Sequence, residues 1–526
     1  MFLCRARSLG PLLLLWCFLA ACSDTSPSSP VAGDDSIGVD NSVLDDDLVG
    51  DDDDSTADDD LISDDDDSSP VAADPFAPLP DTSEALVNTS FSLQEVLELN
   101  SLHEACQAYE ANPSSRRLML LCGKYQFFYE GFEMPGLPVA LFTFLNENFQ
   151  DQLGTSFSGL GRIPNPYSRH GEPVGWGTGA PLGNMETITY TCASCHFGQL
   201  SDGRYSVGAP NYDLKYGQEL LTFTLFPQTI LPFMFNDSEH HPEALELVQP
   251  LRDRVSENPL ITLGFGMDML PALFAERPEL ALTYESEGQL ASWAPGTLDF
   301  YISPQPIEDD THVVVKIPAL WDIPTPEETA AWDMGGAQLT WNGMVPDTET
   351  FVQALTLLFD ADFHPDYSTP LAEYMYTLRA PENLSPPSDA AIAAGREVFN
   401  SAGCIDCHNG PRGNGLRLFS FEEIGTDDAL RRVLDPDLDG EPCCGLSDAA
   451  AGQPMSHKVK APRLSGGWNT AIFLHNGSVT SYDELLCISG PRQLNTEPIF
   501  GNQGHEFGCD LDTESKMALV DFLNSF

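Results

Sequence analysis

The chain has 526 residues and a formal net charge of −56, with 24 Lys and Arg against 80 Asp and Glu. That length leaves room for two or three domains. So acidic a surface excludes nucleic acid, whose phosphates need a basic face, and suits a basic partner or none.

At the N-terminus, Arg5 and Arg7 precede an apolar run, residues 9–22, that is too short to span a bilayer. It ends in Leu19-Ala20-Ala21-Cys22, which resembles a bacterial lipobox. The resemblance implies removal of residues 1–21 and lipid attachment at Cys22; the alternative is an ordinary cleaved signal peptide with a chance cysteine. Ser23 follows the cysteine in place of the Asp that retains lipoproteins at the inner membrane. The expected location is therefore exported and lipid-anchored at the outer membrane. Residues 22–88 contain the tract 45–69, which is mostly Asp and Ser, and no Lys or Arg occurs between Arg7 and Arg116. Such a run repels itself and has little to bury, so it reads as a disordered tether.

Ordered chain is expected from about residue 89. Apolar residues recur at helical spacing behind Ser92, and again over 138–153. The stretch up to 385 is rich in Gly, Pro and aromatics, which predicts short helices with long connections. A Pro-rich boundary at 379–389 is followed by a block with helical pattern at both ends, 388–403 and 513–526.

Two motifs carry the chemistry: Cys192-Ala-Ser-Cys195-His196 and Cys404-Ile-Asp-Cys407-His408. Two cysteines three apart can form thioethers to both vinyl groups of one haem, and the next residue's imidazole then reaches the iron. Structural zinc would need further cysteines beside each motif, and none are there. Two covalently bound haem c groups are expected. No sequence repeat is evident beyond these motifs. Of the other cysteines, Cys106 and Cys122 are a natural disulfide pair. Cys443 and Cys444 are expected to reach Cys487 and Cys509.

Around the second motif, Gly395 and Phe399 on the leading helix and Leu519 and Phe522 on the last resemble the cytochrome c fold, in which those helices cross at a small residue. A six-coordinate iron needs a ligand on its far face, and the block offers Met455, His457, His475, His505 and Met517. The stretch from Lys460 to Leu486, which contains Leu474-His475-Asn476-Gly477-Ser478, resembles a signature of the bacterial dihaem cytochrome c peroxidase superfamily, closest to the branch with the rubber oxygenases. That resemblance makes His475 the distal ligand of the second haem. It makes Trp321, in Lys316-Ile-Pro-Ala-Leu-Trp321, an inter-haem electron-transfer residue, though core packing would serve a Trp equally. Arg463, or Lys460, could pair with a haem propionate. Asp435, Asp437 and Asp439 form the opening half of a calcium loop without its closing Glu, so the choice lies between a Ca2+ site and a solvated acidic turn.

The fold expected is mainly α: two cytochrome c-like haem domains, 89–385 (larger and irregular) and 386–526, with long irregular connections. The resemblance implies a peroxidase- or oxygenase-type oxidoreductase in which the first haem reacts and the second relays electrons. A redox partner protein or a small oxidant (peroxide or oxygen) would be its partner, and the membrane its anchor. The alternative is a non-enzymatic electron-transfer lipoprotein. Glu285, Glu327, Trp332 and Trp341 lie where a distal residue of the first haem would be sought.

Overall fold

The computed structural model describes residues 103–229, 235–264, 281–300, 302, 312–358, 365–433, 458–497 and 499–526. The signal segment, Cys22, the tether, the Asp435–Asp439 turn, Cys443, Cys444, Met455 and His457 lie outside the described residues. The fold is mainly helical, as expected. Among the described residues, no helix is long and apolar enough to cross a membrane.

The helix Asp389–Ser401 starts at Ser388, whose side chain accepts from the Ala391 amide, and the helix Thr513–Leu523 starts at Asp512, which accepts from the Ser515 amide. Each cap satisfies an amide that the first helical turn leaves unpaired. The two helices cross at Gly395, where a Cβ would collide with the Ala518 carbonyl and press on Cβ of Phe522. One turn beyond, Phe399 meets Phe522 edge-on at 5.2 Å between ring centroids.

The same crossing occurs earlier in the chain. The helix Arg116–Tyr129 meets the helix Pro365–Met375 at Gly123, where a Cβ would collide with the Pro370 carbonyl and press on Cβ of Tyr374. Phe127 then meets Tyr374 edge-on at 5.7 Å. In both pairs the aromatic lies four residues after the glycine and four after the residue whose carbonyl it faces. The first unit thus has the same helix frame as the second, although its glycine lies far from its Cys-His motif in the sequence.

Between its leading helix and its Cys-His motif the first unit carries an insertion. This includes a four-stranded sheet of β1 (Glu130–Pro135), β2 (Leu137–Pro138), β3 (Trp176–Ala180) and β4 (Thr187–Tyr190), in the order β1-β3-β4-β2. The 138–153 stretch is helical, broken at Phe149 into Val139–Asn148 and Gln150–Leu153. The two units share a core: Phe421, Leu430 and Val459 pack in one apolar cluster with Val313, Val315 and Trp341. Burial of such apolar area is the main stabilising term of the fold.

Cys106 and Cys122 are bonded as expected. Cys487 and Cys509 are bonded to each other, which overturns their expected pairing with Cys443 and Cys444. The Cys487–Cys509 bond ties the segment between them back to the last helix, where Lys516 Nζ donates to the carbonyls of both cysteines.

Candidate functional site

Cys404 and Cys407 lie on a short helical turn directly after the helix Asp389–Ser401, so His408 follows under the crossing of the two terminal helices. His408 Nδ1 donates to the Gly413 carbonyl at 2.7 Å, which fixes the ring and leaves Nε2 available. Burial lowers its pKa, against the pull of the Gly413 and Pro462 carbonyls. Beside these three residues opens a cavity of about 450 Å³ with a largely apolar lining. Phe399, Trp321, Trp341, Phe473, Leu519 and Leu523 are among its walls, and His475 and His505 also face it.

One corner of this cavity is cationic. Lys316 Nζ donates to the Ile472 carbonyl at 2.8 Å and lies 5.6 Å from the Trp341 ring centre. Lys460 Nζ donates to the Gln338 carbonyl at 3.1 Å. Arg463 donates to the carbonyls of Trp321 and Ala319, and its buried Nη1 has no partner. Burial lowers Lys316 to about 8 and Arg463 to about 10, the latter opposed by Asp322. Lys460 is pushed well down by burial first, then by the neighbouring charges of Arg463 and Lys316. Three desolvated cations with an unmet donor need anionic partners. The two propionates of a haem are dianionic, so the residues present fit that group: two thiols, a fixed imidazole, an apolar cavity and a cationic corner.

The first motif sits on the short helix Ala193–His196, inside an aromatic cluster that includes Phe128, Phe197 and Trp321. Burial pushes the Cys192 thiol up to about 12 and the Cys195 thiol up to about 11. It takes His196 down to about 4, opposed by the Pro318 carbonyl, and His196 Nδ1 is buried without a hydrogen-bond partner. Arg162 braces this motif from behind. Its Nη1 donates to the Ser194 carbonyl at 3.1 Å, while its other nitrogens grip Glu219, which also accepts from Tyr190 Oη at 2.7 Å.

Both motifs are held by the same device. Lys316-Ile-Pro318-Ala-Leu320 and Lys460-Ala-Pro462-Arg-Leu464 each follow a short strand, Val314–Lys316 and Lys458–Lys460. The proline carbonyl meets the motif histidine in each, Pro318 with His196 and Pro462 with His408. The leucine amide donates to the loop after each motif, Leu320 to Gly208 and Leu464 to Arg412, both at 2.9 Å. A second pair follows: Leu339-Thr340-Trp341-Asn342-Gly343-Met-Val345 and Phe473-Leu474-His475-Asn476-Gly477-Ser-Val479. Each closes by a bridge between its ends, with Thr340 (φ 65°) and Leu474 (φ 61°) both left-handed. The expectation of no further repeat is thereby overturned. The lysine, proline, Asn-Gly and Gly-x3-Phe spacings were in the sequence, but insertions of unequal length hid their register.

Trp321 lies between the motifs. Its Nε1 donates to the Val207 carbonyl at 2.8 Å, its ring packs on Gly208 and Gly466, and it lines the second cavity. His475 is buried at 4% exposure, with Nε2 3.2 Å from Asp427 and Nδ1 3.5 Å from Thr426 Oγ1. Of the residues sought for the first haem, Glu285 and Glu327 are exposed, Trp332 is half-buried, and Trp341 lies on the second cavity. Met517 is half exposed and is absent from the lining of the second cavity. Among the described residues, no cluster of three or more His, Cys, Asp or Glu could hold a metal ion by itself.

Over 103 residues the chain is 27% identical to the cytochrome c551 peroxidase of Nitrosomonas europaea. This stretch is similar to a cytochrome c peroxidase. The match covers 20% of this chain and only 28% of that relative's length. It supports a haem oxidoreductase kinship. No protein-family model matches the chain. Two solved structures, each with 14% identity and a TM-score of 0.26, are a MauG-like protein associated with microbial copper homeostasis (41% of this chain, 77% of that one) and hydrazine synthase of Kuenenia stuttgartiensis (44% and 77%).

Proposed function

We propose that this chain is an exported dihaem c-type redox protein of peroxidase or oxygenase type, lipid-anchored through Cys22. The observation that supports it best is the repeated frame. Two Cys-x-x-Cys-His motifs each meet a proline carbonyl through their histidine, in units whose leading and closing helices cross at Gly123 and Gly395. Haem at each motif would supply electron transfer and, at an open iron, activation of peroxide or oxygen. The protein's own part is to fix His196 and His408, exclude water and hold the propionates of the second haem at Lys316, Lys460 and Arg463. Trp321 is the through-protein contact between the units.

The reactive role belongs to the first haem and the relay role to the second. This division of roles is what the resemblance to the dihaem peroxidase superfamily implies. The resemblance to rubber oxygenases rests on the segment around His475 and names a substrate class for screening. Calcium at Asp435, Asp437 and Asp439 stays a proposal of the same kind.

Electron paramagnetic resonance of the oxidised protein, with haem counted in parallel, tests the reading. One high-spin and one low-spin ferric signal support an enzyme with an open iron. Two low-spin signals in the oxidised protein, with the remaining ferric signal still low-spin after one-electron reduction, support the second reading, an electron carrier. Absence of haem overturns both.

A further inference from the structure

Two further histidines, His475 and His505, line the same cavity as His408, and the structure holds them differently. His475 Nε2 lies 3.2 Å from Asp427 and its Nδ1 3.5 Å from Thr426 Oγ1 at the wall, although Nε2, like Nδ1 of His505, is buried without a hydrogen-bond partner. The His475 turn is the counterpart of the Trp341 turn. Each turn accepts a backbone bond from the other unit's lysine: Lys316 donates to the His475 carbonyl at 2.7 Å, and Lys460 to the Trp341 carbonyl at 3.0 Å. A position that serves equally as Trp in the other unit is built for the interface between units.

His505 is held in another way. Its Nδ1 is buried without a hydrogen-bond partner, it lines the same cavity as His408, and it carries a left-handed backbone (φ 49°) that a β-carbon-bearing residue adopts only under constraint. The constraint is visible. The His505 amide donates to the Ile424 carbonyl at 3.0 Å. Arg492 donates to the carbonyls of Asn502 at 2.5 Å, Gly504 at 2.9 Å, Leu485 at 3.1 Å and His505 at 3.5 Å. The Cys487–Cys509 disulfide closes the strap that contains both residues. Burial lowers the pKa of His505, and His408 is the next contributor, so the two rings are electrostatic neighbours.

We propose that His505, and not His475, is the distal iron ligand of the haem at Cys404 and Cys407, with Arg492 as its positioning residue. This rests on the reading of the second motif as a haem site.

The test compares the full-length holoprotein with His505→Gly and His475→Gly, after mass analysis of the peptide containing Cys404 and Cys407. The expected result is that His505→Gly converts one low-spin ferric signal to high-spin and that added imidazole restores it, while His475→Gly keeps the parent signal. Loss in His475→Gly with retention in His505→Gly overturns the assignment. A parent peptide without haem mass overturns the haem reading itself, and the assignment with it. Arg492→Gln should broaden or split the same low-spin signal; an Arg492 that only stabilises the fold would lower the melting temperature and leave the signal unchanged.

Discussion

The backbone amide of Lys316 donates to the carbonyl of His475 at 2.7 Å, and this bond has a mirror in the bond from Lys460 to Trp341. Each half of the molecule therefore completes a turn of the other. Both turns pass through glycines with left-handed backbone, Gly343 (φ 66°) and Gly477 (φ 72°). A Cβ at Gly343 would also strike Leu418, whereas one at Gly477 would come to 3.0 Å from Cδ1 of Ile472. Left-handed backbone costs a non-Gly residue roughly 1 kcal/mol. Gly477→Ala should cost about that, and Gly343→Ala about 2–3 kcal/mol once overpacking is added. Denaturant unfolding of the two variants checks the order.

The helix crossings tolerate nothing larger than glycine. Gly395→Val and Gly123→Val should each force the helices apart and cost roughly 3 kcal/mol or more, since a carbonyl and not a flexible side-chain end blocks the space. Because each crossing belongs to one Cys-His motif, each variant should lose haem at its own motif. Haem-peptide mass analysis after limited expression shows which site fails.

The second of these frames was legible in the sequence because Gly395, Phe399, the Ser388 cap and the last helix lie within one short block. The first was not. Sixty-odd residues of helix, sheet and loop separate Gly123 from Cys192, so the motif stands in the sequence far from its helix. The sheet itself was also hidden: β2 has two residues and the alternation in β1 extends only over Phe132-Glu133-Met134, too short a run for period-two patterning to give a signal. The motif histidines, Trp321 and Arg463 were readable as chemistry. What could not be read was which wall each residue lines: Trp341 was sought at the first haem, and chain fold-back puts it on the second cavity.

Lys124 gives a pH signature of stability. It is 4% exposed on the first crossing helix, and burial lowers its amine to about 8, below the value of about 10.4 in an unfolded chain. Between these values the unfolded state binds more protons than the folded one, so stability rises with pH through that window and the penalty is complete below it. The gap sets its size at up to about 3 kcal/mol. Lys124→Met should therefore raise stability at pH 7, with the gain fading as pH climbs through 8 towards 10.5. Thermal melts of both proteins across that range measure it.

Arg463 is expected to tune the second haem through its charge. A cation near the iron disfavours the ferric state, so Arg463→Met should lower that haem's midpoint potential by tens of millivolts. It also strips donors from the Trp321 and Ala319 carbonyls, at roughly 1–3 kcal/mol of stability. Spectroelectrochemical titration separates the two: the first haem's potential should move far less.

The buried pair behind the first motif gives the sharpest stability test. Arg162 and Glu219 are 1% and 0% exposed at their side chains, and Arg162 lies 5.0 Å from the Tyr190 ring centre as well as bonding Ser194. Removing either partner leaves an uncompensated buried charge, at about 3–5 kcal/mol. Replacing both with apolar residues of similar volume removes that charge. Arg162→Met and Glu219→Met should each destabilise strongly, and the double variant should recover most of the loss, because the pair's gain is largely offset by its desolvation. A double-mutant cycle by denaturant unfolding gives the coupling. If the double variant is instead as unstable as the sum of the singles, the bonds to Ser194 and Tyr190 hold the motif, and the ion pair is secondary to them.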